Sequence, residues 1–190
     1  MNAGLILAAG ESRRMGQAKA LLEYRGETFL NRLISLFRAR CSPVIVVLGA
    51  SADPIRASAR GDALFIVNHN YQSGQTSSMQ CGLRAVPADA GGVLFTLVDH
   101  PAVSPETIDT LLASPGPLLR VPRYQGHRGH PVWFSRDLIP EFLALPQDGA
   151  ARDVVRSHRD RTEFLDVADP GILADIDDAA AYRALLETAV

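Results

Sequence analysis

The chain has 190 residues, 47% hydrophobic and 21% charged, which excludes a disordered chain, a collagen and a coiled coil. That length suits one domain with a core of its own, and residues 1–190 are read as that domain. Nineteen basic against 21 acidic residues leave a net charge of −2. No nucleic acid and no anionic membrane is therefore expected as a partner, because both recruit a basic excess.

Apolar runs of strand length alternate with helical patterns along the chain. Residues 4–8 predict a first buried strand. Residues 27–40 predict a helix with Phe29, Leu30, Leu33, Ile34 and Phe37 on one face. Residues 44–48 predict a second strand, 53–60 a short helix and 64–67 a third strand. Residues 76–86 read as a helix with Met79, Leu83 and Val86 on one side. Residues 93–98 make a fourth strand, with Asp99 directly after it.

Ser104, Pro105 and Glu106 open the next helix as N-cap, first helical residue and first-turn acid. Strands follow at 118–121 and 131–134, and Ser135 caps a helix over 136–145. Residues 152–158 are helical, 162–167 form a late strand, and Asp177 or Asp178 caps a terminal helix over 179–188. The irregular stretch 124–130 is expected as a loop over the site. This alternation predicts an α/β fold: a doubly wound, Rossmann-like, mostly parallel sheet with helices on both faces. Such sheets place ligands outside the carboxyl ends of their strands.

No apolar run reaches the ~18 residues of a membrane span. No basic region precedes the apolar N-terminal stretch, so no signal peptide and a cytoplasmic location are expected. Cys41 and Cys81 lack the spacing of a zinc site and read as buried thiols.

The segment from Leu7 to Lys19 runs Leu7, Ala8, Ala9, Gly10, Glu11, Ser12, Arg13, Arg14, Met15, Gly16, Gln17, Ala18, Lys19. Small residues after a strand let backbone N–H groups approach a phosphate. Arg14 and Lys19 can then neutralise a polyphosphate. A solvated surface loop is the plain alternative, disfavoured by the position directly after the first strand. The spacing fits neither the P-loop nor G-x-G-x-x-G, so neither a P-loop NTPase nor an NAD-binding enzyme is supported.

Asp99 sits on the ligand edge of the sheet, where a carboxylate suits Mg²⁺ or merely caps a turn before Pro101. The polar run 68–79 suits a base edge or a phosphate, and capping by Thr76 or Ser77 fits nearly as well. In 126–131, His127 and His130 lack a third zinc ligand nearby. A flexible lid offering a cation suits that stretch better, with His130 as a possible structural hydrogen-bonder. Asp175, Asp177 and Asp178 precede the last helix, as caps or as a second metal ligand.

Together these segments resemble the molybdenum cofactor nucleotidyltransferases, the MobA-like NTP transferase family, and in particular its cytidylyltransferase branch. Leu7 to Lys19 fits the family's opening motif throughout. Asn68, Gly74, Ser77, Ser78, Gly82 and Leu83 fit its second segment, with His69 for Pro and Met79 for Leu. Asp99 and Pro101 fit its D-M-P with His100 for Met, and Gly126 and Gly129 to Val132 fit G-x-x-G-H-P-V. Asp148, Ala151 and Arg152 fit G-D-x-G-A-R in part, Gln147 and Ala150 replacing its glycines, and Asp175 to Asp177 fit D-I-D.

The resemblance implies a Mg²⁺-dependent transfer of a nucleotidyl group from an NTP to the phosphate of a molybdopterin-type cofactor. Ala9 resembles the cytidylyl members, which favours CTP. Leu7, Ala8, Ala9, Gly10, Arg14, Lys19, Ser78 and Gly82 would bind the nucleotide. Asp99 and Asp177 would hold the metal, and His130 and Arg152 would face the acceptor. Arg14, Lys19 and Asp99 would carry catalysis, and a molybdoenzyme is a possible recipient of the product. Three alternatives stay open: a sugar or polyol phosphate acceptor, a cofactor-binding and delivery module with weak catalysis, and a nicotinamide oxidoreductase.

Overall fold

A computed structural model describes residues 1–113, 117–146 and 148–188, so Gln147 lies outside the described residues. The first strand, β1 (Asn2–Ala8), is buried from Ala3 onward. After the loop 9–18 come a 3₁₀ turn (Lys19–Leu21) and a small antiparallel pair, β2 (Glu23–Tyr24) and β3 (Glu27–Thr28). Helix α1 (Phe29–Arg38) follows, then β4 (Val44–Leu48), α2 (Ala52–Ser58), β5 (Leu64–Val67) and α3 (Gln75–Leu83). The second half holds β6 (Gly92–Leu97), α4 (Pro105–Leu112), β7 (Leu119–Tyr124), β8 (His127–Arg128) and β9 (Val132–Ser135). It ends with α5 (Ile139–Leu143), α6 (Ala151–Ser157), β10 (Thr162–Asp166) and α7 (Ala179–Glu187).

The main sheet runs in the order β10-β7-β9-β6-β1-β4-β5, with β8 paired to β7. All pairings on this path are parallel except those of β9, which runs antiparallel to β6 and to β7. The alternation of strand side chains builds two cores. Ile6, Ala8, Val46, Leu48 and Leu94 face α1, α2, α4 and α7, while Leu5, Leu7, Ile45, Val47, Val93 and Phe95 face α3, α5 and α6. The five apolar residues that predict α1 are all fully buried. Each such side chain contributes about 1.5–3 kcal/mol relative to exposure.

Caps set the helix starts. Thr28 Oγ1 accepts from Asn31 N for α1 and Ser104 Oγ from Thr107 N for α4, both at 3.2 Å. Asp178, not Asp177, caps α7, accepting from the N–H groups of Ala180 and Ala181. Neither Thr76 nor Ser77 caps α3; both lie inside its first turn, whose N-cap is Gly74. Their hydroxyls tie down loops instead: Thr76 donates to the Gly149 carbonyl at 2.6 Å and Ser77 to the Gly74 carbonyl at 2.8 Å.

Two expected elements differ. The stretch 124–130 is not an irregular loop: Tyr124 pairs with His127 and Arg123 with Arg128 in a hairpin. Gln125 (φ 48°) and Gly126 (φ 83°) both adopt the left-handed conformation that a two-residue hairpin turn needs. The helix expected over 136–145 divides into a 3₁₀ turn (Arg136–Leu138) and α5, which carries Pro140 in its first turn, where its missing N–H is harmless. Among the described residues no helix is long and apolar enough to cross a membrane.

Candidate active site

Strands β1 and β6 are parallel neighbours in register, Leu7 beside Leu97. The segments leaving their carboxyl ends therefore start side by side. The loop after β1 is held by Ser12, whose Oγ accepts from Lys19 N at 3.0 Å. It delivers Lys19 to the turn after β6. Lys19 Nζ donates to Asp99 Oδ2 at 2.9 Å and to Asp177 Oδ1 at 2.6 Å. Arg14 Nη2 donates to Asp177 Oδ2 at 2.8 Å from a largely exposed position at the mouth.

Asp177 arrives from far along the chain, and two anchors place it. Asp169, buried, accepts from Ser104 N and Thr107 Oγ1 on α4 and from Gly171 N. Ile176 N then donates to the Asp99 carbonyl at 3.0 Å. This lays residues 169–177 along the turn that carries Asp99. Gly129 lets the β8–β9 connection approach the same segment, since a Cβ there would stand 2.2 Å from the Ile172 carbonyl oxygen.

These groups line one cavity of about 360 Å³ at the carboxyl edge of the sheet. Leu7, Ala8, Ala9 and Gly10 form part of its wall, and Arg14, Lys19, Ser78, Asp99 and Asp177 all reach it. Ser78 Oγ accepts from Nδ2 of the buried Asn68 at 3.0 Å. Gly82 does not line the cavity. It sits on the buried side of α3, where a Cβ would come 2.4 Å from Leu5 Cδ1 and 2.8 Å from Val47 Cγ2. Its small size serves helix–sheet packing.

A second cavity of about 440 Å³ adjoins the first and shares Gln75 and Leu97 with it. His130 and Arg152 line it together, with Arg128 and an apolar wall that includes Met79, Phe95 and Phe142. The two residues expected to face an acceptor thus meet, although α6 and the β8–β9 connection are distant in sequence. Sequence reading placed Gln75 only within a polar run and Asp175 only among caps or metal ligands, and it left His100 without a role. The only signal for His100 was its place between Asp99 and Pro101.

Charge decides what these groups can do. Burial disfavours the Lys19 ammonium, but hydrogen bonds to Asp177 and Asp99 outweigh it and raise the pKa above the ordinary lysine value. The hydrogen bond from Lys19 holds the Asp177 carboxyl below its usual range. Burial pushes Asp175 up, with the Asp99 charge adding to it. Burial also lowers His100, and pushes His130 down to about 4 with His100 adding to the effect. His130 is thus neutral at pH 7 and offers no cation, so Arg128 and Arg152 supply the positive charge at the second cavity.

The donor set fits a divalent cation. Two carboxylates, Asp99 through Oδ2 and Asp177 through Oδ1, converge on a single ammonium. Paired carboxylates beside a triphosphate are the oxygen ligands such an ion takes.

Residues 4–162 match the MobA-like NTP transferase domain. The chain belongs to that family. Its chemistry is accordingly that of a nucleotidyltransferase, on the α/β fold described above. The chain is 33% identical to nicotine blue oxidoreductase of Paenarthrobacter nicotinovorans, over 96% of this chain and 95% of that one. It is 27% identical to the molybdenum cofactor cytidylyltransferase of Escherichia coli (strain K12), over 75% and 74%. Among solved structures it resembles Rv0371c of Mycobacterium tuberculosis H37Rv, with 32% identity, 98% of both chains covered and a TM-score of 0.83. A complex of Rv0371c with manganese superposes with a TM-score of 0.79 at 30% identity, again over 98% of both chains.

Proposed function

We propose that this single-domain protein transfers CMP from CTP to the terminal phosphate of a molybdopterin-type cofactor and releases pyrophosphate. The observation that carries the reading is the meeting of Arg14, Lys19, Asp99 and Asp177 at one cavity beside a second that holds His130 and Arg152. The cytidylyltransferase relative supports the acceptor, and Ala9 supports CTP. Mg²⁺ is the proposed cation, and the manganese complex of Rv0371c supports a divalent ion. The protein is proposed to act in the cytoplasm and to pass its product to a molybdoenzyme.

An acceptor phosphate oxygen is already anionic and needs little help from a base. It attacks the α-phosphorus, the bond from that phosphorus to the α–β bridging oxygen breaks, and pyrophosphate leaves with the bonding pair. Catalysis is then positioning plus charge stabilisation. Leu7, Ala8, Ala9 and Gly10 line the nucleotide, with Ser78 on its base or ribose. Arg14 and Lys19 hold the triphosphate and the charge that develops on the leaving pyrophosphate. Asp99 and Asp177 would hold the divalent ion, which when bound neutralises phosphate charge. Arg128 and Arg152 bind the acceptor phosphate, while neutral His130 shapes the wall beside it.

A second reading joins the similarity to nicotine blue oxidoreductase with the nicotinamide alternative left open by the sequence: reduction of an organic acceptor by a nicotinamide cofactor. The missing G-x-G-x-x-G and the cation–carboxylate cluster speak for nucleotidyl transfer instead. One panel tests both. The protein is incubated with each of four NTPs and with molybdopterin, sugar phosphates and polyol phosphates, and pyrophosphate is measured. NAD(P)H consumption with a dye acceptor is followed in parallel. The expected result is pyrophosphate with CTP and molybdopterin only. Release with a sugar or polyol phosphate, tight acceptor binding without release, or NAD(P)H consumption without release would each replace the reading.

A further inference from the structure

Asp99 uses one carboxylate oxygen at the nucleotide cavity and leaves the other over. Oδ2 accepts from Lys19. Oδ1 is buried without a hydrogen-bond partner and stands 3.8 Å from His100 Nε2, outside hydrogen-bond reach. The His100 side chain is only 8% exposed, and its Nδ1 is likewise enclosed without a partner. Asp175 completes the group: Asp99, His100 and Asp175 each offer a ligand atom, all within 4.8 Å of one another. Buried polar atoms left unpaired are costly, and a carboxylate oxygen with an imidazole beside it is a ready donor pair.

We propose that Asp99, His100 and Asp175 form a second cation site, distinct from the Asp99–Asp177 pair, that takes a divalent first-row transition ion. An octahedral ion with ligands at about 2.1 Å sets neighbouring ligands about 3 Å apart, so binding draws the three side chains, now within 4.8 Å of one another, closer together. The imidazole sets the preference. Mg²⁺ favours oxygen ligands and keeps its waters, whereas transition ions gain from a nitrogen donor. The local charge allows a dication: among the described residues Asp99 and Asp177 pair with Lys19 and Arg14, and Asp175 adds a third carboxylate beside them. The frame is rigid: Ile176 N on the Asp99 carbonyl locks the two segments together, and the His130 ring packs on that of His100 with centroids 4.7 Å apart. Asp99 is then shared, with Oδ2 facing the nucleotide side and Oδ1 the second ion.

The test needs neither nucleotide nor turnover, so it stands or falls separately from the transferase reading. Metal-stripped protein is titrated with Mn²⁺ in millimolar Mg²⁺, and bound ion is followed by electron paramagnetic resonance. Mn²⁺ is a stringent probe because it is the weakest of its series. The expected result is one Mn²⁺ per chain, not displaced by Mg²⁺, with a nitrogen coupling from imidazole. His100→Met loses that coupling and at least about tenfold in affinity. Asp175→Asn, an isosteric change at an exposed position, weakens binding to a similar degree. Asp177→Asn leaves the ion bound. No Mn²⁺ bound in the presence of Mg²⁺, an ion without nitrogen coupling, unchanged binding in Asp175→Asn, or loss in Asp177→Asn overturns the proposal.

Discussion

Lys19 balances the charge of the first cavity. Its ammonium is the group that lets Asp99 and Asp177 lie close together, and in the proposed reaction it faces the charge that develops on pyrophosphate. Lys19→Ala should therefore lower turnover by about 10²–10³-fold, the loss typical of removing one group that stabilises developing charge. Pyrophosphate release under saturating NTP measures this, and an effect below about threefold would remove Lys19 from the chemistry. The cationic loop and Asp99 were legible in the sequence because small residues, cations and an acid stood directly after apolar runs. The partition among the neighbouring acids was not. Asp178 caps a helix, Asp177 meets Lys19, and Asp175 faces His100, although all three lie within four positions. Each role depends on which distant segment lies opposite, and residue type carries no record of that.

At the scale of elements, α3 and the segment 169–177 matter most to the site. Gly82 lets α3 sit close on β1 and β4, and the side chains it meets, Leu5 and Val47, are fully buried with no room to retreat. Gly82→Val should destabilise the fold by about 1–3 kcal/mol through overpacking, despite the poor helix propensity of glycine. Denaturant unfolding checks this, and unchanged stability would mean that the helix moves freely off the sheet. Asp169 ties its segment to the start of α4 with three accepted hydrogen bonds. Asp169→Ala leaves those donors unpaired, which should cost about 1–3 kcal/mol and reduce turnover without touching the cavity. Full activity in a destabilised variant would detach this anchor from function. Strand and helix positions were readable from periodicity. The β7–β8 hairpin was not, because a turn with two left-handed residues gives a weaker signal when Gln125 stands where Asn or Asp is usual.

For the whole molecule, acid is the informative perturbation. His100 and His130 are held below the ordinary histidine value by burial, so both are neutral in the folded state at pH 7. An unfolded chain protonates histidine below about 6.5. Folded stability is therefore complete above that pH and falls as pH drops towards 4, with His130 alone accounting for about 3 kcal/mol at the acid end. Asp177 acts in the same direction at lower pH: its depressed pKa contributes above the ordinary value of 3.8 and that contribution is lost only as pH falls below it. Melting temperatures of the metal-free protein across this range should show the histidine slope first, and His130→Gln should flatten it. A flat profile in the wild type would contradict the enclosed, neutral rings.

The sequence by itself determined the alternation of strands and helices, the two apolar faces of the sheet, and the candidate cations and carboxylate at its edge. Those features are local, since burial periodicity and a small-residue loop after a strand follow from the backbone's own repeat. Only the tertiary structure decided that Lys19 bridges residues 80 and 158 positions away, that Gly82 lies packed on Leu5 and Val47, and that two cavities share a wall. Those outcomes depend on strand order and register, which bring remote segments to one edge.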